Sequence, residues 1–207
     1  MWAMKFQTPF IHVFKQGDAA KRPLLLLHGT GADENNLLDL AATVAPDRTI
    51  LSPRGRVLEN GMPRFFRRLA EGVFDEADVI FRANELSEFV LGARAHYKIA
   101  SPIALGFSNG ANIAAAMLFL RPEILAGAVL LRAMAPLTAL PNINLNNAPV
   151  MLISGSQDTM IPMASANRLA AALAESHANF TRETIAAGHG LTQSDVTHMA
   201  QFFKDNA

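Results

Sequence analysis

The chain has 207 residues, half of them hydrophobic, and its 18 basic and 18 acidic side chains give a formal net charge of zero. This length suits a single domain over residues 1–207, and the balanced charge gives no reason to expect nucleic acid as a partner. The absence of cysteine excludes a thiol nucleophile, a Cys-ligated zinc and a disulfide scaffold. The longest apolar stretch, Ala111–Leu120, is too short to cross a bilayer, so we expect a cytoplasmic protein with no membrane span.

Short apolar segments alternate with longer helical patterns along the chain. Most of the short segments are continuously apolar, as in strands buried on both faces of a parallel sheet. They are Ile11–Phe14, Leu24–Leu27, Thr49–Leu51, Ile103–Leu105, Ala128–Leu131, Val150–Ile153 and Phe180–Ile185. The predicted helices are Asn35–Val44 (after a candidate cap at Asp33), Asp78–Tyr97, Asn109–Leu120, Ala164–Ser176 and Gln193–Asp205. This alternation predicts an α/β fold with one mostly parallel central sheet and helices on both faces.

One irregular segment, Gly55–Gly72, is long enough to shape the rim of a pocket. Charged residues cluster in it and just after it. Because both signs are present, we interpret the cluster as a solvated helix face rather than as a binding patch. Its members are Arg64, Arg67, Arg68, Glu71, Asp75 and Glu76.

The stretch "LLLLHGTGADENN" breaks from a strand into glycines, which raises the question of a nucleotide site. A dinucleotide fingerprint needs a third glycine after Gly29 and Gly31, but Glu34 occupies that position. A carboxylate there would repel a pyrophosphate. A P-loop is excluded as well, because no Lys-Ser or Lys-Thr follows. We therefore expect a strand, a turn and a helix here, without a nucleotide.

The second glycine-flanked turn, "ALGFSNGANIAAAM", indicates a nucleophile. It matches the pattern G-x-S-x-G with Gly106, Ser108 and Gly110, between a predicted strand and a buried helix, which is the context that this motif requires. A sharply turned residue leaves no room for side chains two positions away, so we expect both glycines for steric reasons. The alternative is a serine that caps the helix beside two chance glycines.

A serine alcohol is a weak nucleophile unless a base removes its proton. His189 in "AAGHGLT" follows the last predicted strand and lies between two glycines, so it is our candidate base; a surface loop histidine is the alternative. Asp158 in "LISGSQDTMIP" follows the strand before it and is our candidate orienting acid, although aspartate is also common in turns. The chain order Ser108, Asp158, His189 is the order expected in an α/β-hydrolase.

A serine that attacks a carbonyl group also needs backbone donors for the oxyanion of the tetrahedral intermediate. In this fold they come from the residue after the nucleophile and from the loop after an early central strand. These positions correspond to the amides of Asn109 and Thr30. The glycines that flank Thr30 would let its loop approach the substrate closely.

With these segments, and with "RFFRRLAEGVFDEADVIFRANEL", the chain resembles the phospholipase/carboxylesterase family of small α/β-hydrolases, which includes acyl-protein thioesterases. The last segment is similar to the bacterial branch that is often linked to carboxylesterase activity or to hydroquinone metabolism. The resemblance implies a serine esterase for short to medium acyl or small aromatic esters, with no metal or other cofactor and no large cap domain. It also implies a homodimer. Thioester or lysophospholipid cleavage, and a non-catalytic binding protein on this scaffold, are the alternatives.

The resemblance also suggests where substrate would bind. Arg64, Phe65, Phe66 and Met134 would lie near the mouth of the pocket, while the alternative for them is ordinary packing or, for Arg64, a surface charge. The chain departs from the family at Ala32, where many members carry a third glycine. We expect this change to alter the entrance or the flexibility of the loop without removing the Thr30 donor.

Overall fold

The computed structural model describes residues 6–206, which contain eleven strands and five helices. In chain order they are β1 (His12–Lys15), β2 (Leu24–Leu27), α1 (Leu38–Val44), β3 (Ile50–Pro53), β4 (Val57–Glu59), β5 (Met62–Arg64), β6 (Arg68–Ala70), β7 (Val73–Phe74), α2 (Glu76–Tyr97), β8 (Ile103–Phe107), α3 (Asn109–Leu120), β9 (Gly127–Leu131), β10 (Pro149–Gly155), α4 (Met163–Glu175), β11 (Asn179–Ile185) and α5 (Gln193–Asp205).

Seven of the strands form one sheet in the order β1-β3-β2-β8-β9-β10-β11. Only β1 is antiparallel to its neighbour, and every other neighbouring pair is parallel. The carboxyl ends of the parallel strands therefore meet at one edge of the sheet. This confirms the mostly parallel central sheet predicted from the sequence.

The apolar core lies on both faces of the sheet because successive side chains of a strand point to opposite faces. In β2, Leu25 and Leu27 pack in the cluster that contains residues of α2, α3 and α4, while Leu24 and Leu26 pack with α1 and α5. All four leucines are at most 1% exposed, and each contributes about 1.5–3 kcal/mol through burial. Helices on both faces, as predicted, follow from these continuously apolar strands.

Helix α3 packs unusually close to the sheet, and its first residues lie against the end of β2. A Cβ atom on Gly110 would stand 1.9 Å from the carbonyl oxygen of Leu27, and one on Gly106 would stand 2.6 Å from that of Gly110. Both positions are therefore limited to glycine, as the motif predicts. The obstacle is the neighbouring strand and helix rather than the serine between the glycines.

The segment predicted to be irregular forms two short hairpins, β4–β5 and β6–β7. Asn60 and Gly61 both have positive φ, 52° and 80°, as in the tight turn that an Asn-Gly pair favours. The interpretation of its arginines as a solvated helix face is therefore wrong: Arg64 ends a strand and is only 3% exposed. The Asn-Gly pair was the sequence signal for this hairpin.

The first helix is shorter than predicted and begins at Leu38 instead of Asn35. The side chain of Asp33 accepts a hydrogen bond from the amide of Asn35 (2.9 Å), which closes a local turn instead of capping a helix. No helix within residues 6–206 is long and apolar enough to cross a membrane.

We predict that Gly110→Ala lowers the free energy of unfolding by roughly 3 kcal/mol or more, because the new methyl group overlaps the backbone of β2. Without this overlap, replacing glycine by alanine in a helix would raise the free energy of unfolding by up to about 1 kcal/mol. A decrease in the free energy of unfolding therefore indicates the overlap. Urea unfolding measures it. Gly190→Ala is the matched control, because a Cβ atom there meets nothing within 4 Å. Equal stability of the two variants would contradict the packing.

Candidate active site

Ser108 lies at the turn between β8 and α3 in a strained conformation, with φ of 52° and ψ of −115°. Such a conformation costs about 1–3 kcal/mol for a residue other than glycine. Two backbone hydrogen bonds hold it: its amide donates to Leu131 (2.8 Å) and its carbonyl accepts from Asn112 (2.9 Å). Although Ser108 precedes the first helical residue, its side chain makes no capping hydrogen bond. The hydroxyl is left to contact other groups.

The hydroxyl of Ser108 contacts a histidine, and that histidine contacts a carboxylate. Ser108 Oγ lies 3.0 Å from His189 Nε2, and His189 Nδ1 lies 2.8 Å from Asp158 Oδ2. The Asp158 side chain is only 2% exposed, so the acceptor is shielded from water. With the Nδ1 proton donated to the carboxylate, Nε2 is free to accept from the serine hydroxyl.

Asp158 combines both roles considered from the sequence. Its Oδ1 accepts hydrogen bonds from the amides of Met160 (2.8 Å) and Ile161 (3.1 Å), as a turn aspartate does, while Oδ2 faces His189. The turn fixes the carboxylate in one orientation. Ser108, Asp158 and His189 meet because β8, β10 and β11 are parallel strands of one sheet and each residue follows its strand at the same edge.

A buried arginine holds the loop that carries His189. Arg132 Nε and Nη2 donate to the carbonyls of Gly188 and Gly190, on either side of the histidine, each at 3.0 Å. The guanidinium also forms a two-pronged pair with Asp195 (2.8 and 2.9 Å), and both side chains are fully buried. The sequence analysis missed this pair, because nothing local marks Arg132 as buried.

Asp195 also belongs to the start of α5, where the sequence does carry a signal. It accepts hydrogen bonds from the amide and the hydroxyl of Thr192 (2.7 and 2.9 Å), which forms a capping box. The T-x-x-D spacing is typical of such a box. The same carboxylate therefore caps a helix and neutralises Arg132.

The backbone amides of Thr30 and Asn109 have no acceptor within the part of the chain that the structure describes. The next amide in the loop, that of Gly31, donates to Pro63 (3.0 Å) and ties the loop to the first hairpin. Gly31 has φ of 83°, whereas Ala32 lies outside the left-handed region, so its methyl group adds no backbone strain.

The Thr30 loop is anchored by a neutral buried histidine. His28 Nδ1 donates to the carbonyl of Gly29 (2.7 Å), and Nε2 accepts from the amide of Gly55 (3.0 Å). Burial lowers the pKa of His28 below its usual value of 6.5. Because the Gly55 contact needs an unprotonated Nε2, both effects favour the neutral imidazole.

Glu34 anchors the same loop from its other end. Its carboxylate accepts two hydrogen bonds from Arg54 (2.5 and 2.8 Å), which lower the pKa of Glu34, and its carbonyl accepts from Ser52 (2.7 Å). The carboxylate that argued against a nucleotide site therefore has a structural partner of its own.

A cavity of about 300 Å³ opens beside Ser108 and His189. Apolar side chains and a small group of charged ones form the rest of its wall, chiefly Phe74, Phe107, Met134, Arg64, Arg68 and Glu71. Among residues 6–206, no group of three or more His, Cys, Asp or Glu is arranged to hold a metal ion.

Two of the four residues expected at the pocket mouth line this cavity, Arg64 and Met134. Phe65 and Phe66 do not: they are 3% and 0% exposed and belong to the core. Phe65 packs against the ring of His28, and Phe66 packs edge-on against Phe74. For these two residues the alternative, ordinary packing, is correct.

The chain resembles known hydrolases over nearly its whole length. The Phospholipase/Carboxylesterase family profile matches residues 9–207. The protein MhqD of Bacillus subtilis (strain 168) is 39% identical over 196 residues, which cover 94% of this chain and 98% of MhqD. The structure of the Bacillus cereus carboxylesterase is 44% identical with a TM-score of 0.93, covering 96% of this chain and 95% of that one. The carboxylesterase of Mesorhizobium loti is 28% identical with a TM-score of 0.87, covering 94% of each chain.

Taken together, the parallel sheet, the serine turn at its carboxyl edge and these likenesses define an α/β-hydrolase. The chain belongs to the phospholipase/carboxylesterase family, and it is a hydrolase. The fold and the family predicted from the sequence are confirmed.

We predict that the free energy of unfolding falls as the pH drops below about 6.5, because the unfolded state then binds a proton at residue 28 that the folded state resists. The contribution of this group is at most about 1.4 kcal/mol per pH unit. Urea unfolding between pH 7 and pH 5 measures it. His28→Gln should flatten the dependence, while His96→Gln, at an exposed position, should leave it unchanged. An equally steep dependence in His28→Gln would contradict the assignment.

We predict that Arg132→Met destabilises the fold by about 3–5 kcal/mol, because the Asp195 carboxylate is left buried without its partner. Arg22→Met, at an exposed arginine, should change stability by less than about 0.5 kcal/mol. Chemical denaturation of the wild type, Arg132→Met and Arg22→Met measures the free energy of unfolding of each protein. A loss in Arg132→Met as small as that in the control would show that the pair does not hold the loop.

Proposed function

We propose that this hydrolase is a serine carboxylesterase that acts on small carboxylic esters through an acyl-enzyme intermediate. The observation that carries the proposal is the unbroken hydrogen-bonded series from Ser108 Oγ through His189 to Asp158, with links of 3.0 and 2.8 Å. The series lies beside a cavity that is open to a substrate.

In the first half of the reaction, His189 Nε2 takes the proton of Ser108 as the serine oxygen attacks the ester carbonyl carbon. Asp158 keeps the Nδ1 proton in place and stabilises the imidazolium that forms. When the intermediate collapses, the bond to the alcohol oxygen breaks and His189 gives that oxygen its proton. The alcohol leaves, and the acyl group stays on Ser108.

The negative charge on the carbonyl oxygen during this step needs donors that are already oriented. The amides of Thr30 and Asn109 are suited to this because both residues line the cavity and neither amide has an acceptor within residues 6–206. Asn109 is also the first residue of α3, where the helix dipole favours negative charge. Each such donor typically contributes 10²–10³ in rate, as an order-of-magnitude estimate.

The second half repeats the chemistry with water. His189 removes a proton from a water molecule, the resulting hydroxide attacks the acyl carbon, and Ser108 regains its proton as the acid departs. A cavity of about 300 Å³ is at the small end of ligand sites. Its size and its apolar wall support short to medium acyl or small aromatic esters.

A thioesterase would use the same residues, because only the leaving atom differs. The intact hydrogen-bonded series argues against a binding protein with an idle serine. A homodimer and a cytoplasmic location remain proposals, which light scattering of the purified chain and cell fractionation would test.

We predict that wild-type protein hydrolyses 4-nitrophenyl acetate and that Ser108→Ala lowers kcat by roughly 10⁶, to the limit of detection. Ser194→Ala, at an exposed serine, should retain wild-type activity. A fluorophosphonate probe should label the wild type and the control but not Ser108→Ala. Equal rates in all three proteins would end the proposal, and a large preference for acetyl thioesters would favour the thioesterase.

A further inference from the structure

We propose that the cavity selects esters that carry a carboxylate a few bonds from the scissile carbonyl, and that Arg64 and Arg68 recognise this second charge. The inference rests on the proposed esterase function and names its substrate class. It begins from the two arginines in the same cavity wall as Ser108.

Arg64 is a charged side chain that is only 3% exposed and nevertheless lines the cavity. Its Nε donates to the carbonyl of Phe66 (3.2 Å), and its Nη1 contacts the carboxylate of Glu59. Within residues 6–206, no acceptor meets its Nη2. A guanidinium has five N–H donors in a planar fork, so Arg64 retains capacity for an acceptor from a substrate.

The charges around Arg64 do not cancel. Glu59 also accepts from Arg68 Nε (2.9 Å), so one carboxylate serves two guanidinium groups. Hydrogen bonds from Arg68 and then Arg64 lower the pKa of Glu59, which keeps it ionised, and Glu59 does not line the cavity. Arg64, Arg68 and Glu59 together therefore carry a net formal charge of +1.

One negatively charged side chain also lines this wall and opposes the positive charge of the arginines. Glu71 lines the cavity from the turn between β6 and β7, and it forms no ion pair within the described chain. Glu71 is exposed, so solvent and salt screen it more strongly than they screen a buried guanidinium. Glu71 brings the formal charge of the four side chains to zero, but because its charge is the more strongly screened, it only partly offsets the charge of Arg64.

A purely structural role for this cluster would not require two arginines. The carboxylate of Glu59 in β4 joins the two hairpins through Arg64 in β5 and Arg68 in β6, but one arginine would be enough to neutralise it. A desolvated guanidinium gains most from a planar anion that accepts two of its hydrogen bonds. In a cavity of about 300 Å³, an ester bound at Ser108 has its other end within a few bonds of the same wall.

The test compares matched ester pairs that differ in charge but hardly in shape. Monomethyl glutarate and methyl 5-methylhexanoate carry a carboxylate or an isopropyl group of similar shape on the acyl side, and 3-acetoxypropanoate and 3-methylbutyl acetate carry these groups on the alcohol side. A pH-stat records acid release. The measured quantity is kcat/KM for the charged ester divided by kcat/KM for its neutral partner.

In wild-type protein we expect this ratio to exceed roughly ten in at least one pair, in line with a hydrogen-bonded charge pair, and to fall when about 0.5 M NaCl is added. Arg68→Gln should lower the ratio roughly tenfold, and Glu71→Gln should raise it. Arg67→Gln removes the same charge from the neighbouring position, where the side chain is 62% exposed and outside the cavity. It should leave the ratio unchanged.

A ratio near one in both pairs, or a ratio that Arg68→Gln leaves unchanged, would overturn the inference. Because a general loss of folding lowers both rates of a pair together, the ratio separates recognition from stability. Hydrolysis of the neutral esters without any preference would reject the carboxylate and keep the esterase. If 4-nitrophenyl acetate is cleaved but no ester of either pair is, the inference fails and the esterase stands; if none of these esters is cleaved, the proposed esterase function itself fails.

Discussion

The close contact between the first turn of α3 and the end of β2 is the constraint on which the site depends. With a Cβ position 1.9 Å from a strand carbonyl, Gly110 admits no side chain. The helix can then begin directly on the sheet, and Ser108 is held at φ of 52° between them. Thr30, Ser108 and Asn109 all line the cavity beside this contact, so the proposed nucleophile and the proposed oxyanion donors depend on the same packing.

Stability and position come from different interactions in this molecule. The apolar strands and helices supply most of the stability through two core clusters, one on each face of the sheet. Buried polar contacts fix the loops instead: Arg132 binds the carbonyls beside His189, and His28 joins the Thr30 loop to Gly55. Such contacts add little net stability, but they hold each loop in one arrangement.

Some features were visible in the sequence because they are local. The continuously apolar strands and the Gly-x-Ser-x-Gly turn each express a nearby constraint, burial on two faces or steric clash within a few residues. The sequence left the location of Phe65 and Phe66 undecided, because an aromatic pair has the same pattern in a core as in a pocket wall. The first hairpin was missed although Asn60 and Gly61 marked its turn, since the charged residues around it suggested a helix face.

By itself, the sequence determined the mostly parallel sheet and the order in which Ser108, Asp158 and His189 reach its carboxyl edge, since strand periodicity and turn sterics act over short distances. Only the tertiary structure decided which charges are buried and with whom. Arg132 and Asp195 are 63 residues apart, and Arg64 is only 3% exposed although it ends a strand of a short hairpin. The pairing of Arg132 with Asp195 is set by the packing of distant segments, and no pattern along the chain encodes it.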